Sequence, residues 1–172
     1  GRFTGLDFMT SPPSVINHST MSTYEGSASA ADATGTLLFY TDGITVWNKQ
    51  QQVMANGTGL LGDASTVQSA LIVKQPGQQN IYYVFTMAAQ GGTAGLCYSL
   101  VDMCLAGGLG SLKVKDAPVF TPCTEQLTAT RHCNGIDMWV VTHDFNSNGF
   151  LSFLLTSSGL NPTPVVSAIG TA

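Results

Sequence analysis

The stretch FYTDGITVWNK, residues Phe39 to Lys49, sets two β-prone apolar runs on either side of the pair Asp42-Gly43. An Asp-Gly pair between such runs is a strong short-range signal for a β-hairpin. Whether this hairpin stands alone or belongs to a repeated unit decides the fold. It also decides whether function sits in a pocket or across a surface.

Working outward, helical periodicity is nearly absent. The segment GDASTVQSALIV from Gly62 opens with a plausible helix cap at Asp63, but its second half, with Leu71-Ile72-Val73, reads as strand. Elsewhere short apolar runs such as NIYYVFTM, GLCYSLVDM, DMWVVTHDF and GFLSFLLTSSG alternate with Gly, Asn, Asp and Pro clusters. That pattern is all-β.

Three stretches align: SASAADATGTLLFYTDGITVWNK from Ser27, SALIVKQPGQQNIYYVFTM from Ser69, and QLTATRHCNGIDMWVVTHDF from Gln126. Each carries a small-residue strand, a turn with glycine (Gly35, Gly77, Gly135) and an aromatic-rich strand. The central strands are offset by about 44 and about 57 residues, close to the size of a four-stranded propeller blade. The expectation is a β-propeller-like segment of about three antiparallel blades: blade 1 over about 24–62, blade 2 over about 66–122 and blade 3 over about 125–172. In NIYYVFTM, Ile81, Tyr83 and Phe85 point one way and Tyr82, Val84 and Thr86 the other. Both faces are apolar, as a blade packed between two neighbours requires. Three blades do not close a ring of four to eight. The reading therefore expects part of a longer protein, or completion by other copies. A β-sandwich is the rival fold.

Composition narrows the function classes. Only 9% of the 172 residues are charged and the net charge is −4 with six basic residues. This excludes the basic footprint of a nucleic-acid binder. No apolar run reaches the roughly eighteen residues that span a bilayer. The chain opens at Gly1 without a basic or apolar leader, so it reads as a mature or excised segment. Low charge with polarity from Ser, Thr, Asn, Gln and Gly points to an extracellular protein.

These repeats, with GLDF, MSTYEGSASAADATGTLLFYTDGITVWNKQQQVMANGTGLLG, TPCTEQLTA and WVVTHDFNSNGFLSFLLTSSGLNPTPVVS, resemble the amino-terminal region of large surface proteins of Bacteroidetes. Those proteins pair a propeller-like domain with PKD modules and end in a type IX secretion sorting domain, often described as gliding-motility-associated. The resemblance implies export to the cell surface or medium. It carries over no catalytic residues.

Four constellations remain. Cys97, Cys104, Cys123 and Cys133 contain no C-x-x-C pair, so a zinc site is disfavoured and disulfides or buried thiols remain. A third strand running antiparallel to its fourth suggests Cys97–Cys123, leaving Cys104–Cys133. Asp144, Asn146 and Asn148 before Gly149 match the opening of a calcium loop. However, Leu155 stands where an EF-hand carries its acidic residue, and a strand-to-strand turn with Asn and Gly at positive φ is the plainer reading. Glu25 and Glu125, the only glutamates, each open the first strand of a blade. They either face a central channel, as a glycan- or cation-binding or hydrolytic pair, or bond neighbouring backbone amides. Trp47 and Trp139 are candidate stacking platforms for carbohydrate or core residues.

The sequence-based expectation is a non-catalytic binding or structural module without a required cofactor. Its partners would be further blades, other copies of itself, a glycan or a surface protein. A polysaccharide-active enzyme and a filament subunit are the alternatives.

Overall fold

The computed structural model describes residues 3–171. Among them the chain is all-β, with fifteen strands and a single 3-10 turn at Ala106–Gly108. A hairpin of β1 (Gly5–Asp7) and β2 (Ser14–Ile16) forms its own small sheet. The strands β3 (Ala28–Ala31), β4 (Leu37–Thr41), β5 (Thr45–Asn48) and β6 (Val53–Thr58) follow as an antiparallel meander. A second meander runs through β7 (Ala70–Lys74), β8 (Ile81–Met87), β9 (Leu96–Asp102) and β10 (Ser111–Phe120). The third sheet is β11 (Cys123–Arg131), β12 (Met138–Asp144), β13 (Gly149–Thr156), the short β14 (Gly159–Leu160) and β15 (Val165–Ala168), the last pairing with β13.

Separate four-stranded units were expected. Instead the first two meanders share one eight-stranded sheet, ordered β3-β4-β5-β6-β10-β9-β8-β7. The link is narrow: Ser111 of β10 pairs with Ala55 of β6 in the parallel sense. The end strands β3 and β7 lie against each other, so the sheet curls into a nearly closed, barrel-like form.

The reason is visible in the alternation along β8. Tyr82 and Val84 join Phe39, Val46, Met54, Val101 and Leu112 in the core enclosed by the eight-stranded sheet. Tyr83, Phe85 and Met87 point the opposite way, into a second core with Leu127, Val140, Leu151, Phe153 and Leu155 of the third sheet. The second meander is thus covered on both faces. That is why its strands read as continuous apolar runs rather than as apolar–polar alternation.

The Asp42-Gly43 turn closes as the hairpin signal indicates, with three residues between the strands. Asp42 Oδ1 accepts the N–H groups of Ile44 and Thr45 at 2.9 and 2.7 Å, and Gly43 sits at φ +89°. A side chain there would also strike the Ser69 carbonyl, 2.6 Å from an added Cβ. Ser69, fully buried, donates its hydroxyl to the Gly26 carbonyl at 2.7 Å. The turn is therefore a packing junction between the first two meanders, and glycine is required for conformation and for close approach alike.

Other elements depart from expectation. Asp63 caps the turn that follows it, accepting from the Ser65 N–H at 2.8 Å. No helix follows, and the chain enters β7 at Ala70. SLKVKDAPVF does form the second meander's fourth strand, β10, though three register shifts break its pairing with β9. Strand β6 runs through Asn56-Gly57, a turn signature that the ladder absorbs with a register shift and Asn56 at φ +61°.

Both cores contain fully buried phenylalanines, Phe39 in one and Phe85 in the other. Phe39→Ala and Phe85→Ala are each expected to cost about 3–5 kcal/mol in urea denaturation, within one shared transition. Separate transitions for the two variants would show that the layers fold independently.

Candidate functional site

Sequence reading singled out residues that the fold disperses. Trp47 and Trp139 lie on different outer surfaces. Val46 and Asn48 point into the first core, so Trp47 faces away from it, stacked on Tyr40 with ring centroids 5.4 Å apart. Val140 points into the second core, so Trp139 faces outward from the third sheet, beside the His132 ring at 5.4 Å. They do not form a shared platform.

Glu25 is exposed in the bend before β3. Glu125, half-buried in β11, accepts the Gln90 N–H at 2.9 Å with one carboxylate oxygen and the Val67 N–H at 3.0 Å with the other. Of the two readings of these glutamates, backbone bonding describes Glu125. It ties the third sheet to two loops of the second meander, those preceding β7 and following β8. The same end of the molecule holds the Ser69–Gly26 junction, so Glu25 and Glu125 approach one region without forming a facing pair of free carboxylates.

The segment Asp144 to Gly149 is the β12–β13 turn. Asn146 takes φ +54°, whereas Gly149 does not need a positive φ. Asn148 Nδ2 donates to the Gly170 carbonyl at 3.2 Å, and Ser147 Oγ accepts the Gly149 N–H at 2.9 Å. These contacts build a turn that anchors the chain beyond β15. Neighbouring His143 packs edge-on to Phe150 with centroids 4.6 Å apart, on the outward face of the sheet.

All four cysteines are free thiols, which corrects the expected pairs Cys97–Cys123 and Cys104–Cys133. The two buried sulfurs are engaged elsewhere. The Cys97 thiol donates to the Ala94 carbonyl at 3.3 Å, and Cys123 Sγ lies 3.0 Å from Met87 Sδ. Cys104, in the turn after β9, and Cys133, in the β11–β12 turn, are exposed on different sheets. Burial pushes the Cys123 thiol up to about 11, and the nearby Cys97 thiol adds to the effect. Burial also raises the Cys97 thiol, followed by the effect of Asp116. Neither is an activated nucleophile, because reactivity follows the thiolate.

The feature that sequence reading missed is a pair of clefts at the opposite ends of the inner strands. One cavity, of about 530 Å³, lies between β3 and the β7–β8 hairpin and is bordered by Asp32, Lys74 and Tyr82. A second, of about 710 Å³, lies between that hairpin and the third sheet and is bordered by Lys74, Arg131, Ile136 and Met138. Both take in Ile72, Lys74 and Gln79, but they open on opposite faces of the β7–β8 hairpin. Lys74 Nζ sits over the Tyr82 ring, 5.8 Å from its centroid. Arg131 registers opposite Met138, which puts it on the face of the third sheet turned toward the second meander. Lys74 and Arg131 occupy the same place in their repeats, closing SALIVK and QLTATR, and so border successive gaps between the layers.

No family model, curated protein or solved structure matches the chain.

The thiol arrangement gives a direct test. Ellman's reagent is expected to titrate Cys104 and Cys133 in the native protein, and all four cysteines after denaturation without reductant. A denatured count of zero would mean that the disulfide pairs form after all.

Proposed function

We propose that the chain is a non-catalytic binding or assembly module, built as three successive blades of a β-propeller-like array and working at a cell surface or outside the cell. The carrying observation is the unequal covering of its sheets. The middle meander is covered on both faces, by the first meander on one side and the third sheet on the other. The inner strands β3, β7 and β11 succeed one another, β3 against β7 and β7 against β11, as the inner strands of adjacent blades do.

The third sheet turns one face inward and leaves the other bare. Register places Trp139 opposite Leu154, Val141 opposite Ser152 and His143 opposite Phe150 on that outward face, with Val165 beside Ser152. Phe150 is 42% exposed and Val165 57%. Exposed apolar side chains on an uncovered sheet face, here interspersed with Ser152 and His143, offer an interaction surface. In a blade array, the partner that fits it is another four-stranded sheet, from a further copy or from further blades of the same protein.

The surface location rests on the low charge of the chain and on its resemblance to exported Bacteroidetes proteins. The competing enzyme reading needs Glu25 and Glu125 as a working pair, and both oxygens of Glu125 already accept main-chain N–H groups.

Sedimentation velocity over a wide concentration range tests the assembly reading. Wild type is expected to associate as concentration rises, and Phe150→Glu, on the outward face, to stay monomeric while keeping its strand content. A wild-type chain that is monomeric throughout removes self-assembly and the filament alternative. Association unchanged by Phe150→Glu places the contact elsewhere.

A further inference from the structure

The β1–β2 hairpin wears its apolar side outward. Register sets Leu6 opposite Val15, so the two share one face. Both are more than half exposed, whereas Gly5, Asp7 and Ile16, on the other face, are half-buried. Phe8, just past β1, is 75% exposed. A two-stranded hairpin is marginal in water by itself, and this one turns toward water the side that gains most from cover.

The hairpin's segment is seated on the first meander. Met9 Sδ lies against Gly35 in the β3–β4 turn, where an added Cβ would meet it at 2.7 Å. Phe3 donates its N–H to the Met21 carbonyl at 2.9 Å, which brings the start of the segment back to its end. There Thr20 Oγ1 donates to the Gln51 carbonyl at 3.3 Å and lies 3.0 Å from Tyr40 Oη. Among the described residues, the stack of layers therefore ends in uncovered apolar side chains twice. One end is the hairpin beside the first sheet; the other is the outward face of the third sheet.

Neither surface sets a charge against the other. Asp7 is the only Asp, Glu, Lys or Arg between residues 3 and 21. It lies on the half-buried side of the hairpin, and its Oδ1 accepts the Met9 N–H at 2.8 Å. On the third sheet, the outward positions Trp139, Val141, His143, Phe150, Ser152 and Leu154 include none of those four residue types. Bringing the two surfaces together strips no fixed charge of its water.

We propose that copies of this chain join head to tail, the outward side of one copy's hairpin seating on the third-sheet face of the next. The proposal rests on the assembly reading and specifies what meets the third sheet: the first meander of another copy, presented through its hairpin. Pairing of the third sheet with its own like about a two-fold axis would cover that face but leave Leu6, Phe8 and Val15 in water. The head-to-tail contact covers both. Its two surfaces differ, so each joined pair keeps one of each free, and growth continues past two into a ring or a filament. Two short strands on one sheet face belong with the small interfaces, under about 1,200 Å², so association is expected at the upper end of the concentration range.

Sedimentation equilibrium of single variants and of their mixtures tests this. The hairpin variants are Leu6→Glu/Phe8→Glu and, separately, Val15→Glu; the sheet variant is Phe150→Glu. All four side chains are exposed, and circular dichroism checks that strand content is kept. Wild type is expected to grow past the dimer as concentration rises, and each variant alone to stay monomeric. An equimolar mixture of Leu6→Glu/Phe8→Glu with Phe150→Glu should form a dimer and stop there, since one chain brings an intact sheet and the other an intact hairpin. Hairpin variants that associate as wild type does overturn the proposal and leave the third sheet as a contact of another kind. A wild type that saturates at the dimer, or a mixture that stays monomeric, overturns it too while the assembly reading stands. A wild type that is monomeric throughout removes both.

Discussion

The structure depends on a sheet that cannot face water. Strands β8 and β9 bury side chains on both sides: Tyr82, Val84 and Val101 on one face, Tyr83, Phe85 and Leu96 on the other. At about 25 cal/mol per Å² of apolar surface removed from water, a sheet of this kind is stable only between two layers. The first meander and the third sheet are those layers. Each then has an outer face to dispose of, and they do so differently. The amino-terminal segment reaches the first sheet where the Thr20 hydroxyl meets Tyr40 Oη at 3.0 Å, and Tyr40 is left 5% exposed. The outer face of the third sheet has no such cover among the described residues.

Once the layers are stacked, the two ends of the inner strands take different roles. At one end the chain passes backbone against backbone. Gly26 and Gly43 close on Ser69, and Glu125 gathers the N–H groups of Val67 and Gln90. Such junctions use small residues and one carboxylate to satisfy main-chain groups that burial would otherwise leave unpaired. At the other end the strands finish in Ala31, Lys74 and Arg131, and the layers part to leave a cleft on either side of the β7–β8 hairpin. A closed end and an open end follow from the same stacking.

Much of this was legible in the sequence. The two-faced character of NIYYVFTM, the glycine turns and the third-sheet strands all rest on local pattern, and all reappear in the structure. What local pattern hid was tertiary. Strand β6 was obscured because Asn56-Gly57 is a turn signature that a ladder can absorb. The ladder between β6 and β10 is one residue pair between distant segments, reinforced by side-chain bonds such as Asn56 Nδ2 to the Leu112 carbonyl, and has no periodicity of its own. The cysteines were mispaired because strand adjacency does not say where a sulfur points; Cys123 points at Met87. Glu125 was legible as important but not as a bonding partner of Val67.

The central claim is that the middle meander is enclosed on both faces while the outer edge of the third sheet is not. Hydrogen exchange read by mass spectrometry tests it directly, because exchange protection follows burial and local stability. The account predicts that amides of residues 81–87 and 96–102 are the slowest in the molecule, and that residues 165–168 exchange far sooner. Exchange as fast in β8 and β9 as in β15 would contradict it.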